Sequence, residues 1–451
     1  MTMAIVAAGL VGLWLGAAAV PEGGIGPMDP SAHCHIGAYA LGDGRTLAVT
    51  GFDGTPRDLE YVFSSGEYGH MTLLSDTAYR LGPVPGRGEA HFPDCDHAEF
   101  DEAGQPPLAA HRIALTETDT FFVSDGTRLH GKLVMPTNPK AILVWIQGSD
   151  DDPATNDAEW QYLLPQHGIA VFVYDKRGSG LSGGELSADF DVRANDTAAA
   201  ATEAQRLVHA DIPVGVFGGS QGGWIAPLTA TKTKLGFVIV GFGLAEGVTA
   251  QDRDEVAGAL RAAGYGDDVL AKAHEITDAS TRIVKSGWVN GWTEFDALRA
   301  KYANEPWLKV VEQVNGFTGV MLETPSEKIR EMGPQLDKHI SFNYDPRPVI
   351  ETIAPRQLWV LGGSDHTAPA ARTIEILQEI QRHKSNLDLI VYRQADHGIV
   401  ETFQTNGATR RRHPASYVDV LANWINAGTL PAWDDNIAVY RPQSASLPDS
   451  R

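Results

Sequence analysis

From residue 141 onward, solidly apolar runs alternate with amphipathic stretches. The runs are AILVWIQ (141–147), GIAVFVYD (168–175), PVGVF (213–217), GFVIVGFG (236–243), QLWVLGG (357–363) and LDLIVYR, which follows Asn386. They are rich in β-branched residues and lack polar alternation, which fits strands buried on both faces. Between them lie the helix-like DAEWQYLLPQHG, FDVRANDTAAAATEAQRLVHA and PAARTIEILQEIQRH. This alternation predicts an α/β fold: a mostly parallel sheet with helices on both faces. Just upstream, DTFFVSDGTRLHGKLVMP predicts two strands joined by an Asp-Gly turn. Residues 31–108 follow another pattern, with short apolar patches such as TLAVTGFDG and RLGPVPGRG broken by Gly, Asp and Pro. They predict a small β-rich N-terminal domain. Between residues 244 and 350 the strand rhythm lapses into several helices, which predicts an insertion between two sheet strands. The expected organisation is a leader at 1–20, a β-rich domain at 31–108 and an α/β domain at 109–451 that carries the insertion.

Composition adds limits. Of 451 residues, 43% are apolar and 21% charged, as in ordinary globular proteins. The net charge of −21 leaves no basic footprint, which excludes nucleic acid as a partner class. Met3 to Val20 carry no charge, and the small residues Ala17 to Ala19 offer a cleavage point. The segment reads as a signal peptide, although the usual basic residues ahead of it are missing. Export is the expectation, with a membrane anchor or a buried helix in a cytoplasmic protein as the alternatives. The two cysteines, Cys34 and Cys95, suggest one disulfide. Two inert free thiols, or a zinc site with His33, His35, His91 and His97 whose spacings do not match common zinc patterns, are the competing readings.

The candidate chemistry centres on PVGVFGGSQGGWIAP (213–227). Ser220 stands between an apolar strand and a helix, flanked by Gly218 and Gly222 in the G-x-S-x-G pattern of a nucleophile elbow. A serine hydroxyl needs a base, and the base needs an acid to hold its tautomer. In an open parallel sheet both should lie at the carboxyl ends of later strands. Asp365 follows QLWVLGG and His397 follows LDLIVYR. His366 and Asp396 are their immediate neighbours and the rival candidates. An oxyanion hole needs two backbone N–H donors. Gln221, after the serine, is one, and Ser149 is the other, in the QGSDDDP loop where Gly148 permits close approach. The acidic run Asp150 to Asp152 reads as the start of a helix rather than a metal site. The loop YDKRGSGLSGG (174–184) lacks the spacing of a phosphate cradle. Arg177 within it is expected to tie loops together.

GGSQGGW, YDKRGSGLSGG, GGSDHTAP and ADHGIV together make residues 110–430 resemble an α/β-hydrolase. They are similar to bacterial serine esterases of the prolyl-oligopeptidase and dienelactone-hydrolase branch. The resemblance implies a Ser220–His397–Asp365 triad, a small-molecule ester as substrate, and no cofactor or metal. Two departures stand out: dienelactone hydrolases carry a nucleophilic cysteine where this chain has Ser220, and many relatives carry histidine where it has Gln147. Peptidase, acyltransferase or thioesterase activity uses the same machinery, and a non-catalytic binding protein is the remaining alternative. Peptidases of the prolyl-oligopeptidase type carry a propeller, which roughly 80 residues cannot build at about 40 per blade. The insertion is expected to act as a lid. Its Trp288, Trp292, Phe295, Tyr302, Trp307, Phe317 and Met321 would supply an acyl-binding wall.

Overall fold

The computed structural model describes residues 30–51, 57–82, 88–102, 106–337, 339–405, 408–432 and 435–442. The apolar leader lies outside the described residues. Eight strands, β1 (Gly37–Leu41), β2 (Thr46–Gly51), β3 (Leu59–Phe63), β4 (Tyr68–Ser75), β5 (Ala78–Leu81), β6 (Gly88–His91), β7 (His97–Glu102) and β8 (Leu108–Arg112), form a closed barrel. Each pairs antiparallel with the next, and β1 closes on β8. Closure leaves the barrel no free sheet edge. Its core is aromatic, with Tyr39, Phe63, Tyr79, Phe92 and Phe100 buried. Cys34 and Cys95 form a disulfide, which removes the zinc alternative because both sulfurs are bonded. With the cysteines 61 positions apart in the chain, the cross-link stabilises by about 4 kcal/mol in the chain-entropy account. The Arg112 guanidinium reinforces the same corner by donating to the carbonyls of Ile36 and Cys95.

A nine-stranded sheet follows. Its first members are β9 (Thr116–Ser124), β10 (Thr127–Met135), β11 (Ala141–Ile146), β12 (Ile169–Tyr174), β13 (Val214–Gly219) and β14 (Phe237–Gly241). β15 (Arg356–Gly362) and β16 (Leu387–Tyr392) come next in the chain. A separate hairpin, β17 (Glu401–Thr405) and β18 (Ala408–Arg412), precedes the last sheet strand, β19 (Ile437–Tyr440). The spatial order is β19-β16-β15-β14-β13-β11-β12-β10-β9. The six central strands run parallel, while β9, β10 and β19 make antiparallel edges. Asp125 and Gly126 join β9 to β10 with φ of 45° and 78°, as a two-residue hairpin turn requires.

The chain leaves β11 toward β12 and returns on the other side of β11 to form β13. This reversal opens a crevice between the loops after β11 and β13, where ligands bind in open α/β sheets. Two cores flank the sheet. One is shared with the inserted helices, the other with the barrel. The insertion runs from the helix Val248–Ala262 to Ser326–Leu336, between β14 and β15. Its Trp288, Trp292, Phe295, Tyr302, Trp307, Phe317 and Met321 are buried in the core it shares with the sheet.

Candidate active site

β13 ends at Gly219, and the helix Gly222–Thr229 begins three residues later. Ser220 occupies the turn at φ +53°. Its N–H donates to the Gly241 carbonyl (3.0 Å), and its carbonyl accepts from Gly223 (2.8 Å). The flanking glycines are steric requirements. A Cβ on Gly218 would lie 2.0 Å from the Gly222 carbonyl oxygen, and one on Gly222 would lie 2.7 Å from that of Ile146.

His397 follows β16, with Nε2 3.1 Å from Ser220 Oγ and Nδ1 2.9 Å from Asp365 Oδ2. Asp365 is buried, and its Oδ1 accepts the N–H groups of Thr367 (2.9 Å) and Ala368 (2.7 Å). A carboxylate only accepts, so His397 carries its proton on Nδ1 and presents a bare Nε2 to the serine. Phe242 packs edge-on against the imidazole, ring centroids 5.0 Å apart. The rivals stand elsewhere. His366 is exposed, and Asp396 Oδ1 accepts the backbone N–H of His397 (2.8 Å) rather than touching its ring.

The loop after β11 leans over the serine. A Cβ on Gly148 would lie 3.4 Å from Ser220 Cβ. Ser149 and Gln221 line a cleft together with Ser220, Trp224, Phe242, Leu244 and Gln251. None of the insertion's aromatic residues lines it. The expectation of an aromatic acyl-binding wall fails because those side chains pack against one another instead.

One residue at this site was not anticipated. Arg193, on the helix Phe190–Val208, is 3% exposed. It donates to the carbonyls of Gly148 (3.0 Å) and Gln147 (2.7 Å) and to the side-chain oxygen of Gln221. Burial lowers its pKa, but a guanidinium stays charged in a protein. The sequence did hold a signal: a lone cation on the face that buries Phe190, Ala194, Thr197 and Ala201. Arg177 ties loops together as expected, with a two-pronged pair to Asp196 (2.7 and 2.5 Å) and a bond to Thr127. Gln147 turns its amide toward Asp150 (3.1 Å) and the Asp152 carbonyl (2.8 Å). Asp150 also faces the buried Lys176 ammonium at 3.4 Å, and burial lowers that lysine's pKa. Among the described residues, no cluster of His, Cys, Asp or Glu could hold a metal ion.

The floor of the loop 174–184 is pinned by His130, which bonds Asp175 (2.8 Å) and Asp119 (3.2 Å). Burial disfavours the imidazolium, yet the hydrogen bonds to Asp119 and Asp175 prevail and raise its pKa to about 9. Its stabilising contribution is therefore complete below the unfolded pKa of about 6.5 and is lost as pH rises through about 9. In that window the native state holds a proton that the unfolded chain has released. The unfolding free energy should fall across it by at most about 1.4 kcal/mol per pH unit, and the thermal midpoint with it. His130→Gln should flatten that slope. Equal slopes in both proteins would remove His130 as the cause.

Residues 137–247 match the family model described as serine aminopeptidase, S33, in the group Hydrolase_4. That match spans the switch point, the elbow and the loops on either side. The fold is an α/β-hydrolase. No curated protein matches the chain. Among solved structures it is similar to an esterase of Pyrococcus furiosus, Pf2001, at 12% identity, covering 63% of this chain and 84% of that one with a TM-score of 0.41. It is also similar to DcsB, solved with a substrate analogue, at 14% identity over 70% of this chain and 100% of that one, TM-score 0.44. Protein PA2218 of Pseudomonas aeruginosa shows 17% identity over 63% and 87%, TM-score 0.39. Likenesses this distant decide nothing about substrate.

Proposed function

We propose that this α/β-hydrolase is a serine hydrolase that cleaves small carboxylic esters through an acyl-enzyme. The observation that carries the reading is the continuous hydrogen-bonded series Asp365–His397–Ser220 at the mouth of the switch-point crevice. Ser220 Oγ attacks the carbonyl carbon while His397 Nε2 takes its proton, and Asp365 stabilises the imidazolium. The oxyanion that forms is received by the N–H groups of Gln221 and Ser149, with Gly148 keeping the loop close. His397 returns the proton to the departing alcohol, and water then releases the acid by the same steps in reverse roles.

An ester is favoured over a cationic amino terminus by the cleft wall. It is formed by Trp224, Phe242, Leu244 and the neutral Gln251, with no carboxylate among its lining residues. A p-nitrophenyl ester series of graded acyl length, with aminoacyl anilides alongside, tests this. Short acyl groups should turn over fastest and the anilides little. Fast anilide turnover would favour a peptidase instead. Acyl transfer to an added alcohol would show as ester product beside the acid.

The same assay locates specificity. Leu244→Ala should move the optimum toward longer chains, since one methylene in an apolar pocket is worth about 1–3 kcal/mol. Trp288→Ala should leave the optimum in place while costing roughly 3–5 kcal/mol of stability. The reverse pattern would return specificity to the insertion's aromatic residues.

A further inference from the structure

No described barrel residue lines the cleft, yet one of the barrel's turns bonds His413, which in turn bonds the loop that bears His397. Within that loop Gly398 and Ile399 both have positive φ, 76° and 56°. A β-branched residue in this region is a true outlier. It is strained and persists only where its surroundings over-determine it. The loop's own bonds run from Asp396 N–H to the Val400 carbonyl (2.8 Å) and from Ile399 N–H to that of Asp396 (3.1 Å). The Ile399 side chain is buried in the core shared with the barrel.

The external support is His413, just after β18. Its Nδ1 lies 3.1 Å from the Ile399 carbonyl oxygen, which only accepts, so the ring proton sits on Nδ1. The ring is enclosed by Trp160 and Tyr417 of the α/β domain and by Tyr68 of the barrel, at centroid distances of 5.8, 5.8 and 5.3 Å. Burial pushes its pKa down to about 4, so it stays neutral at neutral pH and keeps a single N–H. Its own backbone is fixed by the barrel. His413 N–H donates to the Gly66 carbonyl (2.8 Å), in the turn between β3 and β4. Glu67 and Arg412 bridge beside it. Gly66, at φ +91°, permits the approach, because a Cβ there would lie 2.0 Å from the His413 carbonyl oxygen.

We propose that the β3–β4 turn of the barrel, acting through His413, is a positioning element that holds the His397 loop in line with Ser220 and Asp365. The connection runs Gly66, His413, Ile399, and then two residues back to His397. This rests on the reading of His397 as general base. A misplacement of about 1 Å at a reacting group can cost about 100-fold in rate. A slack loop should therefore lower kcat while substrate binding in the cleft continues.

The test uses the full chain with its disulfide intact, assayed on the p-nitrophenyl ester that wild type turns over best, well below each variant's unfolding midpoint. Gly66→Ala places its change in the barrel, against the His413 backbone. His413→Phe keeps an aromatic ring and loses the donor, while His413→Asn places an amide N–H near the original Nδ1. Gly66→Ala and His413→Phe should lose about 10- to 100-fold in kcat with KM within about threefold, and fluorophosphonate labelling of Ser220 should slow in parallel. His413→Asn should recover most of that loss. Wild-type kcat in folded Gly66→Ala and His413→Phe, with only a lowered melting point, would overturn the proposal. So would equal losses in His413→Asn and His413→Phe. Should Gly66→Ala fail to fold, the two His413 variants decide alone. If wild type hydrolyses no ester and takes up no fluorophosphonate, the serine-hydrolase reading itself has failed, an outcome distinct from an active enzyme indifferent to Gly66.

Discussion

Replacing Ser220 or His397 by alanine is expected to lower ester turnover by about a thousandfold or more, and each should cost about as much as both together. The non-additivity follows from the geometry. On the proposed reading the serine is a nucleophile only while Nε2, at 3.1 Å, can take its proton, so either loss disables the same step. Asp365→Asn should remove most activity as well. An amide can donate toward the ring, which would favour the tautomer with the proton on Nε2 and leave the serine without a base. Asp396→Asn is the control. Its carboxylate bonds the His397 backbone N–H rather than the ring, so only a small loss is expected. Steady-state kinetics on all four variants, with fluorophosphonate labelling as an independent count of reactive serines, check the assignment. Wild-type turnover in His397→Ala, or greater damage from Asp396→Asn than from Asp365→Asn, would overturn it.

The parallel sheet was legible because fully buried strands leave unbroken apolar runs. The positions of Ser220, Asp365 and His397 were legible because each comes just past such a run. The structure places strands at all six runs and brings the three side chains together. Barrel closure left a fainter trace. Its short strands show as patches, but the pairing of β1 with β8 joins residues about seventy positions apart, and no local pattern encodes it. The hairpin β17–β18 and the edge strand β19 went unread for a similar reason, lying past the last long apolar run. The insertion's aromatic residues misled because composition does not say which side of a helix faces the cleft. They face inward. For Arg193 the sequence showed only a lone cation on a buried helix face and not what it binds, because two of its three partners are backbone carbonyls. Such partners have no signature in the side-chain sequence.

Arg193 also supports the second large prediction. A buried guanidinium is costly to desolvate, and its hydrogen bonds go to carbonyl oxygens and an amide rather than to a carboxylate. Its position offers a return for that cost. The Gly148 carbonyl that it bonds belongs to the same peptide unit as the Ser149 N–H. Donation to that oxygen polarises the unit and strengthens the N–H as a donor toward a developing oxyanion. The bond to Gln221 holds the side chain of the other donor residue, and a fixed positive charge lies behind both. On the reading proposed above, Arg193 would act as a positioning residue for the oxyanion hole. Arg193→Met fills similar space while removing charge and donors. It should reduce kcat by about 100- to 1000-fold, the usual cost of a lost oxyanion-hole contribution, with a smaller change in KM. Arg193→Lys should recover only part, since one ammonium does not span three acceptors set for a planar fork. Affinity for a boronic acid that mimics the tetrahedral intermediate should fall in step with kcat/KM, while affinity for the product alcohol should not. A purely structural arginine predicts otherwise: a lower melting point, with boronate affinity per folded molecule unchanged.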